Sequence, residues 1–148
     1  SRMGELQAGI VNFGFKTMFS NFKKRKILAK YFLKKLHDKN LLLHLDILHS
    51  HTKSDPVLHL FVIKTRKRTN LAKFLKEKGI PTSIHYPHSI HMVPAFSFLH
   101  YKKDDFPVAE RLSREILSLP FHQFLSFSDI DYMIESLQEF YSKLSKDH

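Results

Sequence analysis

Apolar positions along this chain follow a helical or an extended period, and polar breaks separate the two. From Leu6, one line of apolar side chains takes in Ile10 and Phe13 and runs on to Thr17. Val11, Phe15, Met18 and Phe22 form a second line. A helix that is apolar on two sides is expected to be buried on two sides. Past Lys23 the pattern narrows to one stripe, Ile27, Leu28, Tyr31, Phe32 and Leu36. These positions predict one long helix from about Glu5 to about His37. Ser1 is the expected cap, Glu5 suits the helix dipole, and Gly9 and Gly14 are candidate close-packing points.

The next segments are shorter. Leu41 to Leu48 is an apolar run between Asp38-Lys39-Asn40 and His49-Ser50-His51. It reads as a strand, with a helix as the alternative that pattern leaves open. Ser50 to Pro56 is polar and reads as a loop. Val57 to Thr65 is apolar on both faces of an alternating pattern, which predicts a central strand. Asn70 to Lys78 predicts a helix with Leu71, Phe74 and Leu75 inward and Gly79 in the C′ position. Ile80 to Tyr86 reads as a further strand. A short helical patch near Val93 to Leu99 and a turn at Lys102 to Asp105 follow.

Pro107 to Leu117 predicts a helix with proline at its start, with Val108, Leu112, Ile116 and Leu117 sharing a face. Leu119-Pro120-Phe121 is an edge strand or a linker. Ser128 opens the last helix with an S-x-x-D signature, followed by Ile130, Met133, Ile134, Leu137, Phe140, Tyr141 and Leu144. The order predicts an α+β fold: a small mixed or antiparallel sheet of about three strands, packed by helices and led by the long N-terminal helix. That helix has more apolar surface than so small a sheet can cover, so part of it should meet something outside this chain.

Composition narrows the functional classes. A chain of 148 residues, 43% apolar with 14 phenylalanines, is one domain or a large part of one. It has no cysteine, which removes disulfides and thiolate chemistry and suits a reducing, cytoplasmic setting. No signal-peptide pattern is present. Leu6 to Phe22 is interrupted by Gln7, Asn12, Lys16 and Asn21, which argues against a membrane span. The formal charge of +10 makes anionic partners plausible. The basic runs Lys23-Lys24-Arg25-Lys26 and Lys64 with Arg66-Lys67-Arg68 read first as solvated faces. If both lay on one continuous face, they would instead describe a non-catalytic basic module for nucleic acid or an acidic protein.

The chemically richest stretch is Ile84 to Phe96, I-H-Y-P-H-S-I-H-M-V-P-A-F. Pro87 and Pro94 fix φ and bias the residues before them toward extended backbone. The segment should leave a strand near Tyr86 and cross the surface as a shaped loop, a common place for function. His85, His88 and His91 could each offer a ring nitrogen to a metal, but the spacing shows no cysteine and no defined fourth ligand, so no metal site is assigned. The remaining readings are a polar loop braced by local hydrogen bonds and a motif shared with a known family.

Several segments together resemble the DegT/DnrJ/StrS family of vitamin-B6-dependent sugar-nucleotide aminotransferases. Arg2-Met3 with Glu5-Leu6-Gln7-Ala8 resembles the family's R-M-x-E-L-Q-A helix opening. Leu58 to Ile63 resembles its H-L-[FY]-V-I strand, and Leu71 to Ile80 its L-x-x-x-G-I turn. His85-Tyr86-Pro87, His91 and Pro94-Ala95-Phe96 carry the H-Y-P…H…P-A-[YF] loop. Asp105-Phe106-Pro107, Ala109-Glu110 and Ser118-Leu119-Pro120 carry D-F-P-x-A-E…S-L-P. The similarity spans nearly the whole chain in order. Ser89-Ile90 replaces the usual proline-leucine, and Phe96 stands where the family often has tyrosine.

The resemblance implies the C-terminal small domain of a fold-type I enzyme that uses pyridoxal phosphate to aminate a keto sugar carried on a nucleotide. The Schiff-base lysine and the cofactor cradle would lie in a large domain preceding the R-M motif, as would the asparagine ahead of Ser1. No residue of this chain is therefore assigned as catalytic. The expectation is a chain, residues 1–148, that holds no cofactor alone and does not transaminate. By the match, Arg2 would serve a neighbouring subunit's cofactor site at the dimer interface, and His85, Tyr86 and His91 would bind substrate. The expected partners are a second copy or the missing large domain, rather than nucleic acid or membrane. A dimeric remnant without activity is a third reading.

Overall fold

The computed structural model describes residues 2–48 and 58–144. Helix α1 runs Glu5–Asp38, strand β1 Asp46–Ile47, β2 Phe61–Lys64, helix α2 Arg68–Glu77, α3 Pro107–Glu115, β3 Ile116–Leu119 and α4 Phe127–Leu144. The three strands form one antiparallel sheet in the order β1-β2-β3. The expected α+β fold with its long leading helix and central β2 is therefore present. Phe61 and Ile63 of β2 are buried and alternate with half-buried Val62 and Lys64. One face of the sheet thus meets α1, α2 and α4, as antiparallel pairing permits.

The core is built on the last third of α1. Leu28, Ala29, Phe32 and Leu36 are its buried residues and recur at helical spacing. Phe32 stacks on Phe61 of β2 with centroids 4.2 Å apart, and Phe61 meets Phe121 at 5.7 Å. Leu71 and Leu75 of α2 and Ile130, Ile134 and Leu137 of α4 complete the cluster. On the rim, Asp131 of α4 accepts a hydrogen bond from the Tyr31 hydroxyl at 2.9 Å and pairs with Lys35 at 2.8 Å. The lysine holds the Asp131 carboxyl below its usual range.

The first two-thirds of α1 extend beyond this core. Leu6, Ile10, Phe13, Phe15 and Phe19 are 81%, 65%, 73%, 55% and 70% exposed. Gly9 and Gly14, expected as close-packing points, face open space. The helix start is set by Gly4, whose N–H donates to the Gln7 side chain at 3.1 Å. Ser1, the expected cap, lies outside the described residues.

Several boundaries differ from the pattern reading. Of the expected strand Val57 to Thr65, among the described residues only Phe61–Lys64 is strand, the four residues that β3 pairs with. Leu41–Leu43 is a 3-10 turn and only Asp46–Ile47 is strand. Leu41 and Leu45 are buried while Leu42 and Leu43 are exposed, so the run buries at i and i+4, the spacing of a helical turn. Ile80 to Tyr86 touches the sheet by a single bridge, Ser83 to Ser118, because Pro81 has no N–H to give to a ladder. Helix α3 stops at Glu115, and Ile116 and Leu117 turn extended to pair with Lys64 and Ile63. Val108 is consequently 60% exposed rather than sharing a core face with them. The cap of α4 is Ser126, two residues before Ser128. Its N–H donates to the Asp129 carboxylate at 2.8 Å, and the Asp129 N–H donates to Ser126 Oγ at 3.1 Å. The expected loop at Ser50 to Pro56 lies outside the described residues.

Gly79 follows α2 at φ 75°. The Gly79 N–H donates to the Lys76 carbonyl at 3.0 Å, and the Ile80 N–H to Leu75 at 2.8 Å. This is the double closure that ends a helix in a left-handed residue. Gly79→Ala is expected to cost about 1–2 kcal/mol, since only glycine takes that φ without strain. Urea unfolding of the two chains checks it.

Candidate functional site

The histidine loop hangs from β3. Ser118 of β3 exchanges both backbone hydrogen bonds with Ser83, at 3.1 and 2.8 Å. Two residues on, His85 Nδ1 lies 3.0 Å from the buried Ser118 Oγ. Ile84 packs into the edge of the core. The His85–Tyr86 peptide is cis. Beyond this anchor the chain runs free of the sheet. Tyr86 is 75% exposed, with its ring edge-on to His85 at 5.8 Å.

A cleft of about 540 Å³ opens between this loop and α3. Tyr86, Pro87, His88 and Ile90 line one side, with Ala109, Leu112 and Ser113 opposite. It is an apolar trough with a few polar groups at its rim, the usual make-up of a small-molecule site. Among the described residues its lining holds neither lysine nor carboxylate.

The expected site residues separate into three groups. Tyr86 lines the cleft, and His85 stands beside it with Nδ1 engaged on Ser118. His91 turns inward. Its side chain is 7% exposed, its Nε2 is 3.1 Å from Glu110 Oε1, and its ring lies 4.8 Å from Phe106. Arg2 is exposed and precedes α1. At 1.5 Å per residue, the helix carries it about 35 Å from Arg25, where α1 meets the Leu58 and His59 carbonyls. Arg2 is thus remote from the part of α1 that joins the core. Among the described residues no three histidines or carboxylates converge as a metal site.

Glu110 is the site member that pattern reading missed as an individual. Its Oε1 also accepts the Asp104 N–H at 2.7 Å. Burial pushes its carboxyl up, but the Asp104 N–H and His91 outweigh this and hold it below the ordinary value. The available signal was a lone acid on the inward side of D-F-P-x-A-E. A carboxyl lowered on folding adds stability above its unfolded value, and that contribution is lost as pH falls through the folded value. The segment from His91 to Glu110 is therefore expected to loosen in acid, below about pH 4.3. Glu110→Gln should flatten that acid limb while weakening the neutral-pH fold. Amide exchange of Asp104 against pH measures both effects.

The two basic runs do not merge. Arg25 reaches the Leu58 carbonyl and Gln123 at 3.0 and 3.1 Å, before β2 begins. Lys64 and Arg68 lie at its other end, bound to Asp46 at 2.6 Å and to the Ser113 carbonyl at 2.7 Å. The four residues of β2 separate them by on the order of 13 Å.

Comparison with known proteins places these features. A sequence model of the DegT/DnrJ/EryC1/StrS aminotransferase family matches residues 1–138. The chain is 33% identical over 138 residues to the erythromycin biosynthesis sensory transduction protein EryC1 of Saccharopolyspora erythraea, covering 93% of this chain and 37% of that one. It is 31% identical over 143 residues to the dTDP-3-amino-3,6-dideoxy-alpha-D-galactopyranose transaminase of Aneurinibacillus thermoaerophilus, covering 95% and 37%. The crystal structure of S. venezuelae DesV in complex with a ketimine intermediate superposes with a TM-score of 0.86 at 29% identity, over 94% of this chain and 37% of that one. The chain thus spans little more than a third of the length of these relatives. With a family match over nearly its whole length and the same fold in a solved relative, the chain belongs to the DegT/DnrJ/EryC1/StrS aminotransferase family.

Proposed function

We propose that residues 1–148 form the C-terminal small domain of a pyridoxal-phosphate-dependent aminotransferase acting on nucleotide-linked keto sugars, and that the chain alone does not transaminate. The family match over residues 1–138, together with coverage of 37% of the relatives, carries this reading. The chemistry of the cleft agrees with it. Pyridoxal phosphate needs a lysine for its Schiff base and an acid at its ring nitrogen. Among the described residues the lining of the histidine-loop cleft offers neither, so these residues do not fit the cofactor.

The cleft can hold the far end of a substrate. The Tyr86 hydroxyl has no partner among the described residues, and His85 keeps Nε2 free while Nδ1 is engaged on Ser118. Phenol and imidazole donate to sugar hydroxyls or phosphate oxygens. His91 supports the loop from beneath through Glu110. Arg2 would lie at the dimer interface and serve a neighbouring subunit's cofactor site. The exposed face of α1 would meet a large domain or a second copy, and the assembly would work in the cytoplasm. No described helix is long and apolar enough to cross a membrane.

Pyridoxal phosphate added to the purified chain, with absorbance read before and after borohydride, tests the reading. The expected result is no Schiff-base band fixed to a single lysine. A band that borohydride traps on one lysine would overturn it. The rival basic module needs Lys23 to Lys26 and Lys64 to Arg68 on one face, whereas these runs flank β2 and part of each is spent on contacts within the chain.

A further inference from the structure

A second cleft, of about 500 Å³, lies where β2 runs out into α2 and faces the ends of α3 and α4. It shares no lining residue with the histidine-loop cleft. We propose that it binds a nucleoside phosphate, with the base against the His44–Tyr141 ring stack and the phosphates on Arg66, Lys67 and Arg111. The proposal does not rest on the aminotransferase reading.

The cleft is held by one buried residue. Thr65 is 4% exposed. Its hydroxyl accepts the Tyr141 O–H at 2.8 Å and the Lys67 N–H at 3.2 Å, and its own N–H donates to the Glu115 carbonyl at 3.0 Å. Three elements, β2, α3 and α4, are thereby tied at one point. The residues that follow, Arg66 and Lys67, are fixed on the cleft wall while their side chains stay exposed. Arg111 projects from α3 into the same lining.

Charge and shape select the ligand. The lining holds four cations and two carboxylates. Lys64 is neutralised by Asp46 at 2.6 Å. Arg66, Lys67 and Arg111 make no side-chain hydrogen bond or ion pair among the described residues, and one carboxylate, Glu115, remains beside them. Arginine guanidinium matches phosphate oxygens in paired hydrogen bonds, and lysine adds a point charge.

A bare anion would need no more than these cations. The lining, however, also carries an aromatic stack and an exposed leucine. The exposed His44 ring stacks on Tyr141 at 4.9 Å and 10°, and Leu43 is 81% exposed beside it. Tyr141 is 5% exposed and pinned by Thr65, so the stack has a rigid back. A planar base extends such a stack, and stacking is worth about 1–3 kcal/mol per base. A volume of about 500 Å³ falls in the range of small-ligand sites.

Calorimetric titration of the chain with ADP, UDP and pyrophosphate tests this. At least one nucleotide should bind with a Kd below about 1 mM, and pyrophosphate should bind about fivefold or more weakly, the lower end of one stacked base. Lys67→Glu with Arg111→Glu should weaken the nucleotide by about tenfold or more, and the milder Arg111→Gln should move the same way while the thermal midpoint holds. His44→Ala should erase the preference for nucleotide over pyrophosphate. Lys24→Gln, at an exposed cation outside the cleft, should change nothing, and this separates the site from general charge attraction. No nucleotide binding in the millimolar range would overturn the proposal. So would binding that Lys24→Gln weakens as much as Arg111→Gln. Equal affinity for pyrophosphate and nucleotide would overturn the base contact and leave an anion site.

Discussion

Phe32→Ala is expected to destabilise the chain by about 3–5 kcal/mol, the largest loss from any single truncation here. The ring is fully buried and stacks on Phe61, itself 1% exposed. Phe61 in turn meets Phe121, so the ring sits at one end of a three-aromatic run joining α1 to the sheet. Leu28 and Leu36, one turn away on either side, cannot close the gap without moving the α1 backbone. That backbone is held by Arg25 on the Leu58 carbonyl and by Tyr31 and Lys35 on Asp131. The cavity therefore stays open, which places the cost in the upper part of the range for large-to-small changes. Domains of this size have about 5–15 kcal/mol in all, so the variant should be near the edge of folding. Phe19→Ala is the control: Phe19 is 70% exposed, and such changes stay within about 0.5 kcal/mol when no partner covers them. Urea denaturation of both variants in dilute chain measures the contrast. A loss below about 1.5 kcal/mol for Phe32→Ala would mean that α1 repacks on β2.

The second large effect concerns association. The N-terminal part of α1 presents Leu6, Ile10, Phe13, Phe15 and Phe19 to solvent, while every buried residue of the helix lies from Leu28 onward. Exposed apolar side chains on both sides of a helix mark an interface on soluble proteins. The chain by itself is expected to self-associate through this part of α1, and Phe13→Glu with Phe19→Glu, one on each side, to disperse it. Burying two phenylalanines is worth about 3–6 kcal/mol, so the dissociation constant should rise by about a hundredfold or more. Sedimentation velocity over a concentration series reads this directly. A wild-type chain that stays monomeric and binds no apolar dye would refute it. The core should be untouched by the double change, because neither residue contacts it, and the unfolding midpoint of the dispersed variant checks that.

These two expectations rest on the two halves of one helix, and the sequence distinguished them. The change from a two-sided apolar pattern to a single stripe near Lys23 separates the exposed part of α1 from the buried part. Periodicity carries this information because each helical position has a fixed direction from the axis. The Gly79 stop, the proline start of α3 and the central β2 were legible for the same reason: local backbone chemistry decides them.

Boundaries set by competition between partners were not legible. Ile116 and Leu117 continue the apolar period of α3, but β2 offered a ladder and they took it. Leu41 to Leu45 could have been strand, and the need to bury both Leu41 and Leu45 made it a turn. Ser126 and Ser128 both begin an S-x-x-D, and Asp131 was already committed to Lys35 and Tyr31.

In the site, composition and motif picked out His85, Tyr86 and His91 as a group, yet only Tyr86 lines the cleft, with His85 at its side, while His91 pairs with a carboxylate nineteen residues on. Sequence alone determined the family, the helical and extended periods, and the segment that carries the polar rings. The tertiary structure decided which of those rings face solvent, since a buried acid must find a partner wherever the chain brings one. It also assembled the Thr65–Tyr141–His44 cluster, whose members lie up to 97 residues apart and show no common pattern along the chain.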